Sequence, residues 1–307
     1  MTTTHLTGLS GTNPLGFLAA LGVQVLFEGE DKQPRLWWTE DVIPHAVTDG
    51  QFDTDRIVRR ALEIFPMWLS SSALSPGIDR KADDDAKFKP DQLRRYIAVN
   101  EIDGTPNRMA SCLVAEGSYD GHGNAKPSDL YLSAGRVAFL RDARRILDNV
   151  RAEDLLVALR GPWEYRSKLP SLRWDTVDDP DWALSATKPG IDKRTCPGAE
   201  ALALLGFSLF AVFGRQGRTL TQNCEGEWTQ GGKFVWPLWS RPLRQRVVRS
   251  LLAHTVSEDH RAFTQRSKWY TGWSIHSIVE SDIRRAKRAL GLGNMGPPRI
   301  VYSTLST

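Results

Sequence analysis

Basic side chains pair with phosphates, and an exposed aromatic ring stacks on a base or wedges into a duplex. Three stretches of this sequence carry both. "WEYRSK" at 163–168 offers Trp163, Tyr165, Arg166 and Lys168. "FGRQGR" at 213–218 offers Arg215 and Arg218, and "HRAFTQRSKWYTGW" at 260–273 offers Arg261, Arg266, Lys268, Trp269 and Tyr270. Arginines snorkelling around packed aromatics have the same composition, so a single stretch leaves both readings open. Three together point toward a nucleic acid, with a protein-binding scaffold as the competing reading. "GSYDGHGNAK" at 117–126 has glycines like those of a phosphate loop. It lacks the glycine directly before the lysine and the Ser or Thr after it, which argues against ATP binding through that motif. It reads as a flexible loop whose Asn124 and Lys126 carry amide and ammonium groups able to address base edges in a groove.

Catalytic chemistry has less to start from. The six histidines, His5, His45, His122, His254, His260 and His276, form no zinc-ligand spacing with Cys112, Cys196 or Cys224, so no metal and no cofactor are expected. "SATK" at 185–188 matches Ser-x-x-Lys without its partner motifs. A two-metal nuclease needs carboxylates at close range. Asp79 with Asp83, Asp84 and Asp85, or Asp175 with Asp178 and Asp179, are the candidates for it. Acids inside a polar break are more simply a solvated loop. The expectation is a protein that is not an enzyme, with a metal-dependent nuclease as the alternative.

The elements that must position these residues follow from composition and period. At 307 residues, 41% hydrophobic and 25% charged, the chain can bury one large core or two medium ones. A net charge of +4 and 29 arginines against 11 lysines favour an anionic partner gripped by planar guanidinium forks. No apolar run reaches about 18 residues and no leader pattern is present, so a cytoplasmic protein is expected. Three scattered cysteines fit a reducing compartment.

"NPLGFLAALGVQVLF" at 13–27 and "CPGAEALALLGFSLF" at 196–210 read as helices opened by a proline, the first capped by Asn13. Their glycines and alanines let another backbone approach closely. Leu21–Gly22 aligns with Leu205–Gly206 at an offset of 184. No other repeat supports a duplication, so the pair reads as similar helix openings in separate halves. Residues 35–38, 218–222 and 233–239 read as strands. Helices are predicted over 53–66 with Pro66 as its stop, within 130–150 on a stripe of Val137, Leu140, Leu147 and Val150, in "PLRQRVVRSLLAHTV", and over 279–290. The last would array Arg284, Arg285, Lys287 and Arg288 around an apolar line, either as RNA or subunit contacts or as a solvated basic face. Residues 70–91 read as an exposed loop, and 162–198 as an extended connection. The fold class expected is α+β, mixed helices and short strands in two closely packed halves, 1–165 and 166–307, with a helical carboxy-terminal part.

Four segments together resemble one family: "HLTGLSGTNPLGFLAALGV" (5–23), "LYLSAGRVAFL" (130–140), "LRWDTVDDPDWAL" (172–184) and the "CPGAEALALLGFSLF" that follows. The chain resembles a compact large subunit of a type I CRISPR surveillance complex, closest to subtype I-G, formerly I-U. The resemblance implies a non-catalytic subunit of a ribonucleoprotein that recognises the motif flanking target double-stranded DNA and aids duplex opening. The implied partners are a CRISPR guide RNA, backbone and handle-binding subunits, and a recruited helicase-nuclease, with no membrane. Sequence would be read by guide pairing and the flanking duplex by protein. The shared segments are packing motifs, so the contact candidates rest on residue chemistry. Asn124 and Lys126 are the candidates for the flanking motif; Arg166, Lys168, Arg215, Arg218, Arg261 and Lys268 are those for the backbone. A purely structural assembly subunit is the remaining alternative.

Overall fold

Asn13 opens the central helix as its residue type suggests. Its side-chain carbonyl accepts from the backbone N–H groups of Leu15 and Gly16 at 2.9 and 3.4 Å, and Pro14 follows where no N–H is needed. The computed structural model describes residues 2–101, 105–133, 138–176, 194–227, 231–254, 267–285 and 293–304. In chain order β1 (Thr3–Ser10), α1 (Pro14–Val25), β2 (Leu36–Trp38) and β3 (His45–Asp49) come first. Helices α2 (Thr54–Leu69), α3 (Arg80–Asp85), α4 (Pro90–Asn100) and α5 (Ala110–Leu113) lead to strands β4 (Val114–Tyr119) and β5 (Ala125–Pro127). Helices α6 (Phe139–Asn149), α7 (Ala152–Arg160) and α8 (Pro197–Phe207) follow. Then come β6 (Val212–Arg215), β7 (Arg218–Thr221), β8 (Cys224–Glu227), β9 (Gly231–Trp239), α9 (Gln245–His254) and α10 (Ser267–Gly272). The described chain closes on β10 (Ile275–Arg285), β11 (Gly293–Met295) and β12 (Arg299–Ser303). The mix, 39% helix and 26% strand, is an α+β fold.

Helices α1 and α8 are apolar all round but for Gln24 and Glu200, because protein surrounds them; every residue of both is buried. They pack directly on one another through glycine. A methyl carbon on Gly22 would fall 1.8 Å from the Leu202 carbonyl oxygen, and one on Gly206 would fall 2.0 Å from that of Leu18. The two apolar segments are therefore the two faces of one helix pair. One hydrophobic core runs through residues of both halves of the chain. Each described tryptophan is buried in that core or packed against it. On one side lies the antiparallel sheet β1-β3-β2. In the other, of five strands, β10 lies between β9 on one side and β11 and β12 in succession on the other, and β8 pairs with the far side of β9.

A polar knot ties the resembling segments together. The Asp175 carboxylate accepts from Asn13 Nδ2 at 3.0 Å and from the Tyr165 hydroxyl at 2.9 Å. Trp174 Nε1 donates to the Leu130 carbonyl at 2.9 Å. The buried Glu200 of α8 accepts from Ser171 Oγ and Leu172 N–H at 2.9 and 3.1 Å. Arg173 Nε reaches the Gly293 carbonyl at 2.6 Å.

Four expectations are corrected. Pro66 does not stop α2, which continues to Leu69. The bond that proline removes lies on the solvent face beside exposed Leu62, while Phe65 and Trp68 hold the last turn to the core. Residues 70–91 are no exposed loop: Asp79 caps α3 by accepting from Lys81 and Ala82 N–H at 2.9 and 3.0 Å, and Leu74, Ala82 and Phe88 are buried. The 117–126 stretch is a hairpin, β4 and β5, whose turn is held by Asp120. Residues 279–285 are strand, the end of β10, and not the start of a helix. Ile278, Val279 and Ile283 are β-branched and buried in a central strand, the environment such residues favour. Val137, the "SATK" stretch, Asp178, Asp179 and residues 286–290 lie outside the described residues.

Candidate nucleic-acid interface

Two of the sequence clusters, some 90 residues apart, meet at one edge of the molecule. The β4–β5 hairpin packs under the β6–β7 hairpin, and a glycine again permits the approach: a methyl carbon on Gly214 would fall 1.6 Å from the Glu116 carbonyl oxygen. Lys126 Nζ donates to the Gly217 carbonyl at 3.2 Å, and Ser118 Oγ donates to the same oxygen at 3.0 Å. Gln216 and Gly217 have φ of 50° and 77°, the positive pair that a tight two-residue hairpin turn requires.

Strand alternation then sorts the hairpin's side chains. Val212, Thr219 and Thr221 turn inward and are buried. Phe213 pairs with Leu220 across the strands, and Arg215 pairs with Arg218. These four alternate with the inward set and share the outward face. Phe213 is 59% exposed and Leu220 42%, and both arginines are exposed beside them. An aromatic ring, a leucine and two guanidinium groups on one solvent-facing ribbon can supply stacking and phosphate pairing together.

The other sequence candidates sit elsewhere. The Asn124 amide is used within its own turn: Nδ2 donates to the Asp120 carboxylate at 3.2 Å, and the Asn124 N–H donates to it at 2.9 Å. Burial raises the Asp120 carboxyl, and the bonds from Asn124 and His122 outweigh it and hold the group below its ordinary range. Arg166 pairs with Glu164 at 3.3 Å, and Lys168 is exposed on the same extended stretch. The aromatics of that stretch are packed: Trp163 Nε1 donates to the Ala158 carbonyl at 3.1 Å, and Tyr165 serves Asp175. Lys268 is exposed on α10, but Tyr270 is buried and Trp269 packs between it and Trp273. Arg285 is half-buried and donates to the Asp129 and Tyr131 carbonyls at 3.1 and 3.4 Å. Burial pushes its guanidinium down to about 10, and its role is internal, a correction to its place among the contact candidates. Arg284 lies beside it on β10, while Arg261, Lys287 and Arg288 lie outside the described residues.

No protein-family model matches this chain, and no curated protein does.

The acidic candidates among the described residues are committed to the fold, Asp175 through Asn13 and Tyr165. Asp79 caps α3; Asp83 accepts from Ile78 N–H at 2.9 Å; Asp84 pairs with Arg144 at 3.2 Å; Asp85 takes the Tyr131 hydroxyl and Lys87. Among the described residues, no group of three or more His, Cys, Asp or Glu side chains could hold a metal ion. Burial also pushes the Cys112 and Cys196 thiols up, to about 11 and about 12, which leaves them unreactive. No helix of the described residues is long and apolar enough to cross a membrane.

Two sets of residues escaped the sequence reading. Phe213 and Leu220 were legible in "VFGRQGRTLT", where alternation around a two-residue Gln-Gly turn places them with Arg215 and Arg218. Arg246 and Arg249 of α9 were legible as the face opposite Val248, Leu251 and Leu252.

Proposed function

We propose that this chain is a non-catalytic nucleic-acid-recognition subunit, acting in the cytoplasm as a compact large subunit of a type I CRISPR RNA-guided complex. The observation that carries the nucleic-acid reading is the outward face of the β6–β7 ribbon, with Phe213, Leu220, Arg215 and Arg218 together over Lys126. The RNA-guided context is supported by the four resembling segments, which are tied together by the Asn13–Asp175, Trp174–Leu130 and Leu172–Glu200 hydrogen bonds. In this reading the arginines hold the backbone of the duplex beside the target, and Phe213 and Leu220 press against the first base step as it opens. Guide pairing supplies the sequence identity of the target itself.

The test is binding of the guide-loaded complex to duplexes that differ only beside the target, across a salt series. Loss of two phosphate contacts in R215Q/R218Q makes the log–log salt slope shallower by about 1.8 and weakens all sequences alike. Unchanged affinity and slope in that variant refute the ribbon as the contact. Indifference of the wild-type complex to the flanking sequence refutes motif recognition.

A further inference from the structure

Helix α9 carries a second row of cations, away from the hairpin tip. Gln245, Val248, Leu251 and Leu252 turn into the core. Arg246, Arg249, Ser250 and Ala253 recur at helical spacing on the other side and form one wall of a cleft of about 480 Å³. The opposite wall includes Arg108 and Ser111. Arg108 is saturated: its guanidinium grips both Glu28 carboxylate oxygens at 2.6 and 2.8 Å, and its Nε reaches the Ser208 carbonyl at 3.0 Å. It is a braced strut of the wall. Arg246 and Arg249 make no ion pair within 4.0 Å among the described residues and are exposed. Arg249 lies within electrostatic reach of the Glu28 carboxylate, which Arg108 already grips, and both guanidinium groups face solvent.

The cleft is open at both ends. Arg246 also lines a neighbouring cleft of about 640 Å³ together with Arg244. At the far end Gln222 and Ala253 are shared with a third cleft, of about 620 Å³, lined by Phe213 and Leu220. The three form one trough along α9: mixed in charge at the start, where Glu30, Asp31 and Asp49 lie among Lys32, Arg35 and Arg244, cationic in the middle at Arg246 and Arg249, and aromatic and apolar at the end beside Glu225. A duplex hides its base faces, so an aromatic platform in line with a row of cations fits an unpaired strand.

We infer that this trough takes an unpaired nucleic-acid strand, with Arg246 and Arg249 on neighbouring phosphates and Phe213 against a base. The inference rests on the nucleic-acid reading above and adds a site on α9 to it. An acidic peptide would satisfy the arginines but gain nothing from the ring of Phe213.

The experiment measures fluorescence anisotropy of a labelled oligothymidylate with the full chain across a salt series. R246Q/R249Q makes the log–log slope shallower by about 1.4, the single-strand value for two contacts, and R246K/R249K retains the wild-type slope. F213A weakens binding about five- to 150-fold at fixed salt and leaves the slope unchanged. No wild-type binding overturns the inference, as does an unchanged slope in R246Q/R249Q with the fold intact by circular dichroism. If that variant binds as wild type while R215Q/R218Q still weakens duplex capture by the assembled complex, the trough is wrong and the ribbon stands. If neither variant has any effect, both readings fail. Displacement by polyglutamate at matched charge, with F213A silent, makes the trough an acidic-peptide site and overturns the inference.

Discussion

Replacing Gly22 by alanine tests the backbone-to-backbone contact that organises the core. The added methyl carbon would sit 1.8 Å from the Leu202 carbonyl oxygen, where ordinary contact begins at 3.4 Å. No flexible side chain can yield, so α1 and α8 must separate by about 1.6 Å. A gap of even 0.5–1 Å forfeits a quarter to a half of each atom-pair attraction. Roughly fifty such contacts at about 0.15 kcal/mol each, half of them lost, come to about 4 kcal/mol. That is a large share of a typical stability of about 5–15 kcal/mol. Gly206→Ala meets the Leu18 carbonyl oxygen at 2.0 Å and forces the same separation. The two costs therefore overlap, and the double variant falls only slightly below the worse single one, a coupling that independent sites do not show. Gly272→Ala is the control: nothing lies within 4 Å of its added methyl carbon, and it changes stability by less than about 1 kcal/mol. Urea denaturation followed by tryptophan fluorescence reads all four variants. A cost below about 1 kcal/mol for Gly22→Ala, or full additivity with Gly206→Ala, refutes the packing argument.

Three further outcomes follow from the same geometry. Asp is as good a helix cap as Asn, yet N13D is more destabilising than N13A at pH 7, because it sets a second carboxylate against Asp175 where an amide now donates at 3.0 Å; in thermal melts the gap narrows as acid neutralises the pair. His276 is buried, its Nε2 has no partner among the described residues, and burial pulls its imidazole down from 6.5 to about 4. The unfolded chain therefore binds the proton more readily, so its contribution is complete above about pH 6.5 and declines toward pH 4 by roughly 3 kcal/mol; H276Q flattens that part of the pH–stability curve. G214A pushes the β6–β7 ribbon off Glu116, so it weakens nucleic-acid binding while the melting temperature of the core moves by only a few degrees; equal loss of both ties the ribbon to the core.

The elements with strong local chemistry were legible in the sequence. An Asn-Pro opening and a run of small residues gave α1, and the later proline with its alanines gave α8; what the pattern could not say is that the two segments face each other. Strand β10 was misread because Val279 and Ile283 are four residues apart, as on a helix face. A strand buried on both sides has no alternation to contradict that period. Helix α3 is six residues long, too short for a periodic signal, and only Asp79 marks its start. At the interface, composition could not separate a packed ring from an exposed one. Trp163, Tyr165 and Tyr270 hold the fold, while Phe213 is the large aromatic ring left in solvent among the described residues.

The same distinction explains why the resemblance identifies no contact residue. Asp175, Glu200 and Arg173 are buried polar groups, and each has a partner in another resembling segment or in the strand beyond it. A buried polar group left unpaired costs about 1–3 kcal/mol, so the residue types at Asn13 and Asp175, and at Ser171 and Glu200, are bound to one another by the fold. The outward side chains of the ribbon and those of Arg246 and Arg249 are exposed, so this burial cost does not fix their residue types. A related protein can therefore keep the knot and exchange the ribbon. The contact residues proposed for this chain lie where the resembling segments are absent, on β6, β7 and α9.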